Sequence, residues 1–522
     1  MKRLKALSLI LSAYLACCTS SLMLPAFAAD QSAPLTGDTN GDGTVDAEDA
    51  QLALNSYVNS ISGNENTLNA QQISAADVNK DQAVSVEDAQ FILLYYVKNT
   101  LSGQSISWDE LLHPKKPANL VPDNDDMLTI IGWSDYDLLQ MIEHFTDSQP
   151  QYKDKIQLVN VASSSLEARE KYAAYLASGN DADLYISETT WLREYTDQDD
   201  NSRSITDLGF SESDFDGCYP YTLEIGKNAK GTLKAVTGQA TPGGYVYRSD
   251  LAKKYLGVNS PEEMQPFVKD WDAFGATAEK IKAASEGKTA MAATYFGTAM
   301  PWSQGKHSSW LDANNKLQIG DDVKVFYDRM SDYRNKGYIT DTMQWTESWY
   351  DIGQDDSTFG YFFSTWCLDE DAMLFEAEGG TNGKTYGLYN ITEGPAPWYW
   401  GGVYLALAPN CNSGTAAHDF IEYFVVNPDT MAAYAKATNT FVNNSAVMQK
   451  IERANPLLGG QSAIAVLDRN AKALDLSETY NAHDINLTIS FIDAAKDSES
   501  YDKAISKFQT SAEEILGDSA KK

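Results

Sequence analysis

A twelve-residue pattern that occurs twice constrains the N-terminal part of this chain more than any other feature. The first copy begins at Asp38 and the second begins 39 residues later, at Asp77. Each copy places Asp, Asn and Asp at positions 1, 3 and 5, a further Asp at position 12, and an apolar helical pattern directly afterwards. Ca²⁺ is a hard cation that takes six to eight oxygen ligands, and loops of this spacing supply them. The repeat therefore predicts two calcium-binding loops, each followed by a helix.

The two loops differ at position 6, where such a loop turns sharply. Loop 1 has Gly43 there, whereas loop 2 has Gln82. A non-glycine residue in that conformation costs about 1 kcal/mol of backbone strain, so we expect weaker calcium binding by loop 2. The alternative is a pair of acidic turns without metal, and the matched helices after both copies argue against it. The predicted ligands are Asp38, Asn40, Asp42, Thr44 and Asp49 in loop 1, and Asp77, Asn79, Asp81, Ala83 and Asp88 in loop 2.

The duplicated loop and helix, with Asp at position 12, resemble a type I dockerin. The resemblance implies a small all-α, EF-hand-like domain, which we place at residues 37–102, and a cohesin module of a scaffold protein as its partner. In that family, loop positions 10 and 11 carry recognition together with the helix that follows. The matching positions are Ala47 and Glu48 in the first repeat, and Val86 and Glu87 in the second. Which cohesin is preferred stays open.

The first 28 residues are typical of a secretory signal peptide. A basic start is followed by an apolar run and by the small-x-small site that ends at Ala28. This predicts a protein that is secreted and held outside the cell or at its surface. Lipidation at Cys17 or Cys18 is an alternative, although neither context fits a lipoprotein signal well. No later segment is long and apolar enough to span a membrane.

The charge of the chain argues against some partners. The formal net charge is −33, and removal of the signal peptide with its three basic residues makes it −36. So acidic a protein is not expected to bind nucleic acid or anionic membranes. Only Cys218, Cys367 and Cys411 remain after the signal peptide, so at most one disulfide is possible, and whether it forms is left open.

The remainder of the chain reads as an α/β domain. Residues 103–126 are polar and contain three prolines, which is typical of a linker. In residues 127–522, short apolar strands at 127–133, 155–161 and 183–187 alternate with helical patterns at 135–145 and 166–177. This order predicts a parallel sheet, in which ligands bind at the carboxyl ends of the strands. About 390 residues are too many for one core, so we expect two lobes.

Residues 127–520 resemble an extracellular solute-binding protein of an ABC importer, of the sugar-carrying family 1 group. The likeness rests on the order and spacing of several loose motifs, and it implies a two-lobed fold that closes around its ligand. Ala182 departs from it, because the family has proline there. The motifs are 172–184; 204–208, read as a strand; 244–257, read as the crossing into the second lobe; 270–274, read as a helix start; 400–409, read as a later strand; and 416–434, read as the terminal helices.

Aromatic residues are the candidate ligand contacts, because the C–H faces of sugar rings stack on flat aromatic rings. The alternative is that a tryptophan in a large domain belongs to the core, as we expect for Trp271. Asp135 has its own alternative, a helix N-terminal acid favoured by the dipole. The candidates are Trp133, Asp135, Trp191, Tyr245, Trp366, Trp398 and Trp400, with Trp302 as a further tryptophan.

Two functions are compatible with these features. The first is a scaffold-attached protein that binds a soluble oligosaccharide without chemistry; whether it feeds an ABC permease stays open. The second is a dockerin-bearing glycoside hydrolase, which needs two carboxylates across a cleft. Acidic pairs such as Glu347 with Asp351 or Asp369 with Glu370 can be nominated, but acids are abundant here. Apart from the two calcium-type loops, the sequence shows no nucleophile elbow, metal-ligand constellation or phosphate-binding glycine loop. We therefore expect a binding protein rather than an enzyme.

Overall fold

The computed structural model divides the chain into two compact units, with the boundary between Lys115 and Lys116. The predicted signal peptide, with Cys17 and Cys18, and the candidate Asp135 lie outside the described residues. Among those residues, the helices are all too short or too polar to cross a membrane. The structure describes residues 35–64, 67–101, 105–112, 120–133, 136–305, 308–312, 314–477 and 480–517.

The first unit is helical, as the repeat predicts. Each calcium-type loop ends in a capping box, in which an Asp46 or Ser85 side chain caps the helix and the position-12 Asp bonds back to the cap residue. The two long helices pack through small and branched side chains such as Ala53 and Ile92. The helices are Ala47–Ile61, Ala70–Ala76, Val86–Tyr96 and Trp108–Leu112, with a π-helical turn at Val97–Leu101.

The last helix of this unit contacts both the start and the end of the dockerin-like region. Trp108 stacks on Tyr95, with ring centroids 4.2 Å apart and planes 6° apart. The ring also covers Gly37, where a Cβ would lie only 2.3 Å from Trp108 Cζ2. The Asn99 side chain accepts from the Ile106 backbone N–H at 2.8 Å and donates to its carbonyl at 3.1 Å. We call this contact the Trp108 clasp; it joins Ile106 and Trp108, which the sequence assigned to the linker, to Gly37, Tyr95 and Asn99 of the predicted dockerin.

Loss of the Trp108 clasp is expected to destabilise the first unit alone. Replacing Trp108 by Ala removes a stacked, half-buried ring, which we expect to cost about 2 kcal/mol and to lower the melting temperature of this unit by about 10 °C. Scanning calorimetry of the calcium-loaded full chain measures it. Leu101→Ala is the control, because Leu101 is 64% exposed in the same unit. Equal melting temperatures for the two variants would contradict the clasp.

Among the described residues, the second unit contains eight strands in two sheets. They are β1 Leu128–Trp133, β2 Ile156–Ala162, β3 Leu184–Glu188, β4 Ala235–Val236, β5 Gly243–Arg248, β6 Gly360–Ser364, β7 Tyr389–Thr392 and β8 Val403–Leu407. In the first sheet, with order β2-β1-β3-β8-β4, β1 pairs in parallel with β2 and β3, as predicted. β8 then pairs antiparallel with β3 and β4, which makes the sheet mixed. The second sheet, with order β6-β5-β7, is antiparallel.

Helices cover both sheets. The predicted helices after β1 and β2 are confirmed, as is the helix start at Asp270, whose side chain accepts from the Ala273 N–H at 2.7 Å. The α-helices of this unit are Tyr136–Ser148, Ser165–Ala177, Leu192–Thr196, Pro220–Gly226, Ser249–Leu256, Pro261–Val268, Trp271–Ala284, Tyr295–Gly305, Asp321–Asn335, Glu347–Asp351, Met373–Glu378, Gly414–Ile421, Pro428–Thr438, Ser445–Met448, Ile464–Ala473, Asp484–Lys496 and Tyr501–Leu516. Short 3-10 or π turns occupy Pro150–Tyr152, Ile205–Leu208, Glu212–Phe215, Thr365–Cys367, Glu422–Val426 and Pro456–Leu458.

Two expectations about these elements are wrong. Residues 204–208 form a 3-10 turn instead of a strand, because the Ser204 side chain caps it at the Thr206 N–H and Gly209 ends it with a φ of 90°. The edge strand beside β8 is β4 instead. The helices within 416–434 are not terminal either, since four more helices follow as far as Leu516.

Two antiparallel segments connect the sheets and so define two lobes. Residues 237–242 lead from β4 to β5, and residues 393–402 lead from β7 to β8. They are hydrogen-bonded to each other: the Gly243 N–H donates to the Trp398 carbonyl at 2.8 Å, and the Trp400 N–H donates to the Thr241 carbonyl at 3.0 Å. We call this pair the crossing ribbon.

Side chains that alternate along a strand of the second sheet enter two different hydrophobic cores of the second unit. On β5, Val246 packs in the core that contains the first sheet, whereas Tyr245 and Tyr247 face the core built with the later helices. Cys218, Cys367 and Cys411 are buried and unpaired. Burial raises the pKa of the Cys218 thiol to about 12.

A buried acid gives the second unit a pH-dependent stability. Glu378 is fully buried; one carboxyl oxygen accepts from the Gly387 N–H at 3.2 Å, and the other has no partner among the described residues. Burial raises the pKa of this carboxyl from 4.5 to about 8, although the Gly387 N–H and the Arg248 guanidinium act to lower it. Glu378 therefore stays neutral in the folded chain at pH values where the unfolded chain ionises it.

The stability of the second unit is expected to fall as pH rises from about 5 to 8, because the unfolded state releases the Glu378 proton first. The loss from this group is roughly 3–5 kcal/mol. Glu378→Gln should remove that loss and raise the melting temperature at pH 8, measured by thermal unfolding across the pH range. Glu376→Gln is the control, since Glu376 is exposed on the same helix. A Glu378→Gln profile as steep as that of the unmodified chain would contradict the assignment.

Candidate functional site

Loop 1 of the first unit draws backbone N–H groups around two carboxylates. The Asp38 carboxylate accepts from the N–H groups of loop positions 4, 5 and 6 at 2.8, 3.1 and 2.9 Å. The fully buried Asp49 carboxylate accepts from the Asn40 and Asp46 N–H groups, each at 2.9 Å. Burial raises the pKa of Asp49, and the Asp46 and Asp38 carboxylates add to that effect. Oxygen donors of this kind, with charge that burial penalises, fit a hard divalent cation.

Loop 2 repeats this arrangement with a less favourable backbone. The buried Asp88 carboxylate accepts from the Val78 and Ser85 N–H groups at 3.0 and 2.8 Å. Gln82 has a φ of 73°, in the left-handed region, as the sequence predicts. Lys80 has a φ of 62° where loop 1 has a glycine, so a second strained position was missed.

The predicted recognition positions lie on the surface of the first unit. Ala47, Glu48, Val86 and Glu87 are all exposed in the first turns of their helices. Large apolar side chains are also exposed further along these helices and the turn after them. They are Val58, Ile61, Leu94, Val97 and Leu101.

In the second unit, three tryptophans form a partly exposed cluster that we call the tryptophan patch. Trp345 lies parallel to Trp366, with ring centroids 6.0 Å apart and planes 10° apart. Trp400 lies 5.4 Å from Trp345 and 4.9 Å from Trp366. The indole N–H of Trp366 donates to the Trp400 carbonyl at 3.0 Å, which fixes the Trp366 ring. Trp345 is 53% exposed, so the patch presents an aromatic face to solvent.

The patch lies at the carboxyl ends of strands of the first sheet, where ligands bind in α/β folds. Trp400 belongs to the crossing ribbon, and two residues later the Gly402 carbonyl accepts from the Thr189 N–H at 3.3 Å. Thr189 directly follows β3, so this contact is at the carboxyl end of a central strand. The patch therefore combines the carboxyl edge of the first sheet with the connection between the lobes.

Trp345 is the residue that sequence reasoning missed. It has a φ of 69°, a conformation that is rare for a bulky side chain and that clusters at functional sites. The detectable signal was its context, because this tryptophan stands in a polar, non-periodic stretch just before a short helix. An aromatic residue in such a stretch has no helical face to pack.

Of the predicted aromatic contacts, all of which lie among the described residues, Trp366 and Trp400 join the patch and the others lie in the cores. Trp191 is 1% exposed, and its indole N–H donates to the Ser165 hydroxyl at 2.9 Å. The buried Tyr245 hydroxyl donates to the Met291 carbonyl at 2.6 Å, and burial raises its pKa. The remaining buried candidates are Trp133, which lies 6.2 Å from Trp191; Trp398, which lies 6.4 Å from Trp400; and Trp302, which stacks on Phe326.

Comparison with protein families identifies both parts of the chain. The family described as bacterial extracellular solute-binding protein matches residues 140–455, and the type I dockerin domain matches residues 36–95. The first match covers more than half of the chain. The chain belongs to the bacterial extracellular solute-binding proteins, and it carries a type I dockerin domain, a calcium-binding module, before the solute-binding region.

Solved structures confirm the two-lobed fold. An extracellular solute-binding protein of family 1 matches with a TM-score of 0.64 and 15% identity over 75% of this chain and 100% of that one. The galacto-N-biose-/lacto-N-biose I-binding protein from Bifidobacterium longum, in complex with lacto-N-biose, matches with a TM-score of 0.57 and 16% identity. This match covers 76% of this chain and 99% of that one. An ABC transporter associated binding protein from B. animalis subsp. lactis, in complex with beta-1,6-galactobiose, matches with a TM-score of 0.55 and 20% identity. This match covers 76% of this chain and 99% of that one. The comparison with curated proteins gave no significant match.

Proposed function

We propose that this protein is secreted, docks through its dockerin on a cohesin of a scaffold protein, and captures a soluble oligosaccharide between the lobes of its solute-binding domain. The tryptophan patch carries the proposal. Its exposed indole faces match the C–H faces of sugar rings, and it lies at the carboxyl edge of the first sheet. Similar folds from B. longum and B. animalis hold disaccharides. The domain limits 37–102, 103–126 and 127–522 stay predictions.

Capture, not catalysis, is the role that family membership supports. The matched family is one of solute-binding proteins. Handing the sugar to an ABC permease is compatible with that family, although attachment through a cohesin would keep the protein on a scaffold. Retention of released sugar beside polysaccharide-degrading enzymes is then the simpler role.

The tryptophan patch is tested by Trp345→Ala. Loss of one stacking ring is expected to weaken oligosaccharide binding roughly tenfold. Isothermal calorimetry of the full chain, with oligosaccharides from starch, cellulose, xylan and mannan, measures the affinity and identifies the glycan series. Met343→Ala is the matched control, because Met343 is 64% exposed on the same stretch and lies outside the patch.

Two outcomes of this experiment would count against the proposal. Binding that Trp345→Ala and Met343→Ala leave equally strong would move the sugar site away from the patch. The absence of heat with all four series, together with release of reducing sugar from a polysaccharide, would favour the hydrolase alternative instead.

For the dockerin, we propose two calcium ions, with the loop 2 site the weaker. The motivation is the pair of left-handed non-glycine residues, Lys80 and Gln82, where loop 1 has glycines. In this assignment calcium compensates the buried Asp49 and Asp88 carboxylates, and it thereby holds the helices that present Ala47, Glu48, Val86 and Glu87 to the cohesin.

Exchanging the turn residues tests the calcium assignment. Gln82→Gly is expected to tighten the weaker site about fivefold, because about 1 kcal/mol of backbone strain is relieved. Gly43→Gln is the reciprocal variant and should weaken the stronger site by a similar factor. Calcium titration of the full chain by calorimetry measures both. A single bound ion, or a weak site that Gln82→Gly leaves unchanged, would refute the two-site assignment.

A further inference from the structure

One acidic side chain beside the tryptophan patch is open to a ligand. Asp369 follows Trp366 by three residues, in the segment that leaves β6 through the 3-10 turn Thr365–Cys367. Its carboxylate is exposed to solvent and forms no hydrogen bond or ion pair among the described residues. An ionised carboxylate has about four lone-pair sites that accept hydrogen bonds. Those of Asp369 are therefore available to groups from outside the chain.

The 3-10 turn places Asp369 on the same face as Trp366. Side chains at positions i and i+3 of a 3-10 helix lie one above the other, and the turn extends to Leu368, whose N–H donates to the Thr365 carbonyl at 3.2 Å. The two intervening residues, Cys367 and Leu368, are buried, whereas both ends of the pattern reach solvent. The carboxylate therefore lies on the face of this segment that carries the Trp366 ring.

The surroundings of Asp369 are concave and charged. Burial raises the pKa of this carboxyl from 3.8 to about 6, the Arg453 guanidinium acts to lower it, and the Asp137 and Asp371 carboxylates add to the rise. A carboxyl that solvent reaches but that loses much of its hydration lies in a recess. Asp137 belongs to the first turn of the helix after β1. Asp369 therefore faces the carboxyl end of a strand of the first sheet, where ligands bind in α/β folds.

The nearby cation is fixed by the backbone of the chain. The Arg453 guanidinium donates to the Ala435 carbonyl at 2.8 Å and to the Asn439 carbonyl. These bonds hold a positive charge near Asp369 while leaving the carboxylate itself uncovered. Asp369 is therefore ionised at neutral pH and ready to accept hydrogen bonds.

We propose that Asp369 is a specificity-determining residue of the sugar site, where its carboxylate accepts hydrogen bonds from hydroxyl groups of a ring that stacks on Trp366. This inference rests on the proposed function and deepens it. A sugar stacked on an indole face keeps its hydroxyls at the edge of the ring, within reach of a neighbouring carboxylate. Because an ionised carboxylate only accepts, it selects a ring with free hydroxyls at this edge and disfavours a ring that carries a carboxylate there.

The first test removes the charge of Asp369 and keeps its shape. Calorimetry of the calcium-loaded full chain at neutral pH uses maltotriose, cellotriose, xylotriose and mannotriose as neutral probes and trigalacturonic acid as the acidic probe. Asp369→Asn should weaken the binding of the preferred neutral trimer roughly tenfold, because bonds to a charged acceptor are the strong ones. Trigalacturonic acid should bind the unmodified chain roughly tenfold more weakly than that trimer, or not at all.

The pH dependence of binding separates a ligand contact from a structural role. Affinity for the neutral trimer should be full above about pH 6 and should fall as the pH decreases through that value, because protonation of Asp369 removes the acceptor. Asp369→Asn should abolish this fall. Glu370→Gln is the matched control, since Glu370 is the next residue, is exposed, and lies off the face shared with Trp366. It should keep both the affinity and the pH profile. Melting temperatures show whether each variant is folded.

The outcomes distinguish this inference from the proposed function. A folded Asp369→Asn variant that binds the neutral trimer as tightly as the unmodified chain, or that keeps its pH profile, would overturn the role of Asp369. Sugar capture would stand in that case, provided that Trp345→Ala still weakens binding. Equal losses in Asp369→Asn and Glu370→Gln, or trigalacturonic acid that binds as tightly as the neutral trimer, would also overturn the specificity assignment. Silence with every probe would overturn both proposals together.

Discussion

The crossing ribbon is the constraint on which the rest of the second unit depends. Two segments connect the sheets, and the backbone hydrogen bonds between them, from Gly243 to Trp398 and from Trp400 to Thr241, fix how one sheet continues into the other. Because Trp400 belongs to this ribbon, the ring is positioned by backbone bonds and not by side-chain packing alone. Trp366 adds a bond from its indole to the Trp400 carbonyl. The tryptophan patch is therefore built on the hydrogen-bonded connection between the two sheets.

Close packing reinforces this arrangement at Gly243, where the ribbon enters β5. A Cβ on Gly243 would lie 2.2 Å from the Trp398 ring, so only glycine permits that buried ring to lie against the backbone. Trp398 in turn lies below Trp400. Trp398 thus supports the exposed Trp400, whereas Trp133, Trp191 and Trp302 pack against other aromatic side chains of the cores.

The elements that the sequence predicted well are those with a local cause. Strands β1 and β3 are short apolar runs bounded by polar residues, the helix at Trp271 has an Asp cap, and the calcium-type loops have fixed ligand spacing. The antiparallel entry of β8 beside β3 has no local signal, because it depends on a pairing across more than 200 residues. The 3-10 turn at 205–208 was misread as a strand because the family resemblance places a strand there, whereas the capping by Ser204 decides the backbone. Trp345 was missed because an exposed tryptophan that can stack on a ligand differs from a core tryptophan in its burial, which the residue type alone does not show.

The Trp108 clasp determines how a pull on the protein would reach the dockerin. The chain continues toward the solute-binding domain from the end of helix Trp108–Leu112, and the indole of that helix is stacked on Tyr95 and seated over Gly37. Tension that enters through the end of this helix, at Leu112, would act first on this stack and on the Asn99–Ile106 bonds. These contacts would have to break before the helix that ends at Tyr96 could separate from its partner. The clasp would therefore bear an applied load before the helices and calcium-type loops behind it do. With the scaffold attachment proposed above, the clasp would let the second loop keep its geometry under load.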